Sequence, residues 1–187
     1  EAAFMSKRII TINRMFGSGG RIIGKALAEE LGFKFYDKEL IEMASKEKNI
    51  PFDEFARVDE KKASQWVFPV DSELQFTDNF SFVPMNDVLY DLQRKIILSL
   101  PQKEDCVIVG RCADYVLRDD PNAVLVNLFV HAPMAARIRR ESARTNTTPA
   151  EAEKRIRQVD KERAAYYNFF SSKRWGDAQG YDLCVNT

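Results

Sequence analysis

This chain of 187 residues encodes a parallel α/β sheet with right-handed crossovers. Short apolar, β-branched runs alternate with segments whose apolar residues recur every three or four positions. Residues 124–130 are apolar enough to lie in the middle of such a sheet, buried on both faces. Turn or capping residues stand where strands give way to helices, at Gly17 to Gly20, Asp37 and Gly110.

Residues 8–12 form the first strand, brief and β-branched. Ile23, Leu27 and Leu31, with Ala26 and Ala28 beside them, mark a helix face that runs back through Gly24, and Gly32 ends the helix. Residues 33–36 are a second strand, after which Asp37 N-caps a helix carrying Leu40, Ile41 and Ala44. Residues 50–83 are rich in Phe and contain Pro51 and Pro69; a short helix or two around 52–66 and then an irregular stretch are expected. Val88, Leu89, Leu92, Ile96 and Ile97 define a helix over 86–100, stopped by Pro101. The strand Cys106–Val109 enters Gly110-Arg111, a helix follows over about 112–118, and the turn 119–122 leads into the strand 124–130. After Pro133 come a basic helix, a Thr-Asn-Thr-Thr stretch and a long helix from about 149 to 170. Thr148 is its N-cap, Pro149 its first residue, and Glu151 and Glu153 sit near its positive end. Residues 181–185 are the last strand. An open sheet normally covers that strand with a helix, so one is expected beyond Thr187. At the other end Met5 reads as the native start.

Lys+Arg and Asp+Glu both number 28, and a net charge of zero argues against a nucleic-acid or membrane-surface partner, though not against a local basic cluster. No apolar run approaches the ~20 residues of a membrane span. His131 is the single histidine, and Cys106, Cys112 and Cys184 lack C-x-x-C spacing, so no zinc pattern exists and no metal ligands are assigned. The thiols read as reduced and cytoplasmic.

The stretch FGSGGRIIGK, residues 16–25, carries the functional signal. A strand, a glycine-rich turn and a helix form the setting in which backbone amides cradle phosphate. The phosphate-loop pattern G-x-x-x-x-G-K-[ST] finds Gly19, Gly24 and Lys25, then fails at Ala26. Ile23 already lies on the buried helix face, so the helix starts near Gly19 or Gly20 and Lys25 is a full turn inside it. That match is a coincidence of spacing. The anion-binding amides are those of Gly17, Ser18, Gly19, Gly20 and Arg21. The dinucleotide fingerprint also fails, because Ile22 occupies its third glycine position.

ITINRMFGSGGRIIGKALAEELGFKFYDKELI resembles the opening of bacterial cytidylate-kinase-like proteins, a branch of the nucleoside monophosphate kinases. CVIVGRCADYVL, VNLFVHAP-MAARIRR, EAEKRIRQVDKERAAYYNFF and KRWGDAQGYDLCVNT extend the likeness in order over nearly the whole chain. The resemblance implies one P-loop-kinase domain over 1–187. It would be a three-layer sandwich around a five-stranded parallel sheet, with a monophosphate-binding helical insert at about 38–100 and a helical lid at about 134–172. It also implies ATP with Mg²⁺ as donor and a nucleoside monophosphate such as CMP as acceptor, in a monomer or homodimer. Aligned from the first strand, the family's phosphate lysine falls on Gly20, and Arg21 and Ile22 follow. Arg21, in the first helical turn, can supply the lysine's charge in part, and so can Arg14. Ser18 is the only loop hydroxyl, and Mg²⁺ can be held by nucleotide oxygens and water alone.

On the acceptor side, the resemblance places an acidic residue of the monophosphate site at Asp37, whose other reading is simple capping. An arginine following a buried strand has no apolar reason to be there, and a guanidinium pairs well with phosphate oxygens. That describes Arg111, where the family places a monophosphate-binding arginine. Cys112 stands where the family has Asp, and the nearest acid is Asp114. Arg140 and Arg144 lie one turn apart, on a basic helix whose hairpin can close over a nucleotide and supply charge to the transferring phosphoryl group. Asp160 and Arg163, three apart, resemble the Asp and Arg the family uses on the substrate nucleotide; an intrahelical ion pair is the alternative. The second functional reading, motivated by the missing lysine and hydroxyl, is a nucleotide- or phospholigand-binding module without turnover.

Overall fold

The computed structural model describes residues 6–61, 67–70 and 81–187. The expected native start at Met5 lies outside the described residues. Strands β1 (Lys7–Arg14), β2 (Lys34–Tyr36), β5 (Cys106–Val109), β6 (Ala123–His131) and β7 (Leu183–Asn186) form one sheet in the order β2-β5-β1-β6-β7. Every pairing is parallel, with Ile9 opposite Cys106 and Leu125, and Ile12 opposite Val109 and Leu128.

Strand alternation divides the core between the two faces. Ile9, Cys106 and Ile108 pack with Leu40, Ile41 and Ala44 of α2 (Glu39–Lys48), Phe55 of α3 (Phe52–Val58) and Leu89, Leu92 and Ile97 of α4 (Met85–Ser99). Ile12, Val107, Val109, Leu128 and Val130 pack with Ala28 and the half-buried Ile23 and Leu27 of α1 (Gly20–Leu31). The short helix α5 (Ala113–Val116) follows β5, and α6 (Met134–Thr145) and α7 (Pro149–Ser171) form a hairpin after β6. This is the expected three-layer sandwich, helices on both sides of a five-stranded parallel sheet.

Several local expectations hold in detail. Helix α1 begins at Gly20 behind a left-handed Gly19, and Lys25 lies exposed within it, 3.7 Å from Glu29. Thr148 caps α7 in a reciprocal box with Glu151, and Pro149 opens the helix. Four expectations need correction. The first half of β6 is not buried on both faces, since Val124 and Val126 are exposed and β1 is the central strand. Leu31, expected on the core face of α1, is exposed at the end of the helix. Asp37 caps nothing with its side chain: Lys38 is the N-cap of α2, and the Asp37 carboxylate turns to two arginines. The segment read as irregular holds an antiparallel ribbon, β3 (Val67–Val70) with β4 (Ser81–Pro84). Pro69 argues against a central strand, but a two-stranded ribbon is all edge and accommodates it. Helix α3 is the expected short helix, but it ends at Val58: residues 59–61 leave the helix, with Glu60 left-handed, and residues 62–66 lie outside the described residues.

Cys106 and Cys112 are buried and Cys184 is exposed. Burial pushes the Cys106 thiol up to about 12 and raises Cys112 well above its ordinary value. Alkylation of the native protein at pH 8 is therefore expected to modify Cys184 alone, and all three thiols after denaturation. Mass spectrometry of the labelled peptides checks this, and fast native labelling of Cys106 would contradict the sheet as described.

Candidate active site

The carboxyl ends of β1, β2 and β5, the turn into α1 and the α6–α7 hairpin surround a cleft of about 630 Å³. Ligands bind at this edge of open parallel sheets. Seven arginines (14, 21, 111, 140, 144, 155 and 163) and Lys38 line it, against Asp37, Asp59, Glu60 and Glu141. A chain with no net charge has thus gathered an excess of cations at one place.

The loop of residues 14–20 forms the floor. Gly17 and Gly19 have φ of 76° and 82°, the left-handed region that glycine enters without penalty. A Cβ at Gly17 would also lie 3.2 Å from the Cβ of Arg137. Ser18 is fully buried and its hydroxyl donates to the Met15 carbonyl at 2.8 Å, which holds the loop closed. Thr187 Oγ1 donates to the Ser18 carbonyl at 2.8 Å and receives a hydrogen bond from Arg140 Nη1 at 2.9 Å. Arg140 also reaches the Gly17 carbonyl, at 3.4 Å. Asp160 accepts the Phe16 amide at 2.7 Å and Arg137 Nη1 at 2.5 Å, tying α7 and α6 to the loop.

Above this floor arginines and carboxylates interlock. Arg111 donates to Asp37 at 3.0 Å, to Asp59 at 2.7 Å and to the Val109 carbonyl at 2.8 Å. Arg21 Nε donates to the second Asp37 oxygen at 2.6 Å, with its side chain 56% exposed. Arg14 forms a bidentate pair with Glu60, at 2.6 and 3.0 Å, and Arg163 Nε reaches Glu60 at 3.2 Å. Arg163 also donates to the Arg14 carbonyl, at 3.3 Å. Glu60, Arg111 and Cys112 have φ of 55°, 56° and 54°, left-handed conformations that non-glycine residues adopt only when their surroundings enforce them.

These pairings displace acid–base equilibria. Burial opposes the charge on Glu60, but Arg14, Arg163 and Arg111 outweigh it and hold the carboxyl far below its usual range. Burial likewise opposes the charge on Asp37, and Arg111 and Arg14 overcome it and lower the carboxyl. Asp59 moves the other way, raised by burial. Burial and the neighbouring Arg14 pull Arg163 down to about 10, so it stays charged at neutral pH. Carboxyls depressed in the folded state contribute stability that is complete above the unfolded value of about 4 and is lost as the pH falls below it. Denaturant midpoints measured against pH should accordingly fall as pH drops through about 4 toward 2. Glu60→Gln should be less stable at pH 7 and flatten that acid limb; an unchanged limb would show that Glu60 is not held as described.

The acceptor and lid residues expected from the sequence are mostly gathered here. Arg21, Asp37, Arg111, Arg140, Arg144 and Arg163 all line the cleft. Arg144 is paired with the buried Glu141, at 2.8 Å, and Arg155 reaches the same carboxylate at 3.4 Å. The guanidiniums of Arg144, Arg155 and Arg163 lie 6.0, 5.6 and 5.6 Å from the Phe16 ring centre. Asp160 and Arg163 share no bond: Asp160 serves the loop and Arg163 serves Glu60. Asp59, Glu60 and Arg155 were not expected, and the acidic pair stands in the stretch that gave no clear pattern. Asp114 is buried behind the site, accepting from Tyr167 at 2.5 Å and Asn13 at 3.2 Å, which makes it a structural group.

For Mg²⁺, the loop hydroxyl is already committed to Met15, and Asp37, Asp59 and Glu60 are all engaged by arginines. Among the described residues no cluster of three His, Cys, Asp or Glu suits a metal ion. Nor is any helix among them long and apolar enough to cross a membrane.

The sequence pattern of the cytidylate kinase-like family matches residues 9–187. Among solved structures, an uncharacterized protein from Eubacterium ventriosum is 27% identical, with a TM-score of 0.69 over 96% of this chain and 88% of that one. Shikimate kinase from Bacteroides thetaiotaomicron superposes with a TM-score of 0.53 over 96% of this chain and 85% of its own, at 16% identity, a likeness of fold. A search of curated proteins finds no matching relative.

Proposed function

The chain belongs to the cytidylate kinase-like family, and we propose that it is a nucleoside monophosphate kinase that moves the γ-phosphoryl group of ATP to a nucleotide such as CMP. The observation that carries this reading is the cation-lined cleft above a strand–glycine loop–helix floor. Its volume of about 630 Å³ suits small-molecule ligands. An acceptor phosphate oxygen attacks the γ-phosphorus in line, the bond to the β–γ bridging oxygen breaks, and ADP leaves with that electron pair. Such transfer needs positioning and charge rather than a nucleophilic side chain. In this reading the amides of residues 17–21 hold donor phosphates. Arg111 and Arg163 hold the acceptor, with Asp37 orienting Arg111 and Arg21. Arg140 and Arg144 bring charge from the hairpin. Because Ser18, Asp37, Asp59 and Glu60 are already engaged, this chain's residues would leave Mg²⁺ to the nucleotide, where the ion would neutralise phosphate charge.

The test is ADP release over a panel of monophosphates, with turnover expected for at least one pyrimidine nucleotide. A folded protein that turns over no acceptor would defeat the proposal. Gly20 at the lysine position and the committed Ser18 hydroxyl favour a second reading, nucleotide binding without transfer. Calorimetry that detects ATP binding beside an inactive assay would select it.

A further inference from the structure

Gly20 stands where a phosphate loop carries its lysine, and the space a side chain would need there is already filled. A Cβ built on Gly20 would lie 2.6 Å from the Cβ of Arg14 and 3.0 Å from its Cγ. The head of Arg14 needs a second glycine. A Cβ on Gly110 would lie 2.3 Å from Arg14 Nη1 and 2.0 Å from Glu60 Oε1. Gly20 makes room for the stem of this arginine and Gly110 for its guanidinium. The side chain leaves the last residue of β1, passes beside the first residue of α1 and ends at the carboxyl edge of β5. Arg21, the other candidate, turns away from the loop to Asp37 and stacks over Phe35 at 5.9 Å.

We propose that Arg14 performs the task of the missing phosphate-loop lysine, and that Glu60 is the counter-ion it exchanges for the β- and γ-phosphates of the donor. The proposal rests on the kinase reading above and names the group that makes the altered loop competent. Glu60 is an anion held by two guanidiniums, Arg14 and Arg163, and approached by the Arg111 amide at 3.4 Å. A carboxylate so surrounded occupies a site shaped for anionic oxygens, and a terminal phosphate presents the same acceptors with more charge. The lysine of ordinary loops lies one residue before a Ser or Thr on the helix; here the charge comes from the strand side. A loop without that lysine therefore keeps a cation whose stem passes the lysine's position and whose head lies at Glu60.

Four variants and two readouts test this: Arg14→Ala, Arg14→Lys, Arg14→Gly, and Arg14→Gly combined with Gly20→Lys. ATP binding is read by calorimetry and transfer by ADP release, with thermal melting to establish folding. Arg14→Ala should lose transfer by about 10²–10³-fold, the scale for removing one group that stabilises transition-state charge. Its ATP affinity should fall at least tenfold while the acceptor's affinity holds. Arg14→Lys should keep ATP affinity within about tenfold of the parent, because lysine binds phosphate as a point charge. The double variant should regain at least tenfold over Arg14→Gly. A folded Arg14→Ala that binds ATP and transfers like the parent overturns the inference and leaves the kinase reading standing. Should Arg14→Ala not fold, Arg14→Lys decides: folded protein without ATP binding overturns the inference. A parent that binds ATP but serves no acceptor defeats the kinase reading alone, and the binding comparison still tests Arg14.

Discussion

Arg111→Met is expected to destabilise the protein by about 3–5 kcal/mol, because it removes one partner from a buried ionic network and strands the others. The Arg111 side chain is 2% exposed and joins Asp37 to Asp59. Without it Asp37 keeps the largely exposed Arg21 and the neighbouring charge of Arg14, and Asp59 keeps Gln93 at 3.1 Å. The loss corresponds to a fall in melting temperature of roughly 6–20 °C for a chain of this size. Its pH dependence separates this cause from simple loss of packing. With the guanidinium gone, burial raises Asp59 further and moves Asp37 upward from where the parent holds it, so the folded variant binds more protons than the folded parent. Its stability relative to the parent then declines as pH rises through those values, and the deficit should be smaller near pH 5 than at pH 8. Asp37→Asn and Asp59→Asn added to the variant should recover part of the loss. A deficit under 1 kcal/mol, or one that does not change with pH, would refute the buried network as the source.

The sheet was legible because its strands announce themselves twice, by apolar β-branched composition and by the alternation that sends Ile9 to one face and Ile12 to the other. The start of α1 was legible because Ile23 had to face the sheet, where it is half-buried, and that single requirement dismissed Lys25 as a phosphate ligand. Arg111 was legible as a charge at a strand end with no apolar reason to be there. What the sequence could not reveal is which carboxylate each arginine meets. Arg163 and Asp160 are three apart on one helix, yet they part company because Glu60 and Phe16 bring partners from 103 and 144 residues away. Those partners are fixed by tertiary packing, and no local period reports it. Asp37 failed as a cap for the same reason: two arginines outcompete a backbone amide for its oxygens. The role of Arg14 was only half visible. Its charge is plain in the sequence, but the void at Gly20 that admits its stem is a property of three dimensions.

Gly20→Ala should therefore destabilise the protein, although alanine is the better helix former by about 1 kcal/mol. The added methyl meets Arg14 Cβ and Cγ and lies 3.4 Å from Val130 Cβ, and the two Cβ atoms are fixed to strand backbones rather than being the free ends of side chains. Nothing there yields without moving β1 against α1. Overpacking of this kind costs about 1–3 kcal/mol beyond the helix gain it cancels. Because Arg14 holds Glu60, the same displacement should weaken donor binding, so the variant loses activity as well as stability. Gly19, by contrast, has nothing within 4 Å of its Cβ position. Gly19→Ala suffers only from its left-handed backbone, and comparing the two separates crowding from conformational strain. A double-mutant cycle between positions 14 and 20 gives the decisive number. Arg14→Gly empties the contested space, so Gly20→Ala should cost less in that background, with a coupling of about 0.5–3 kcal/mol. Additive effects would mean that the two positions do not compete, and the case for Arg14 as heir to the lysine's place would lose its physical basis.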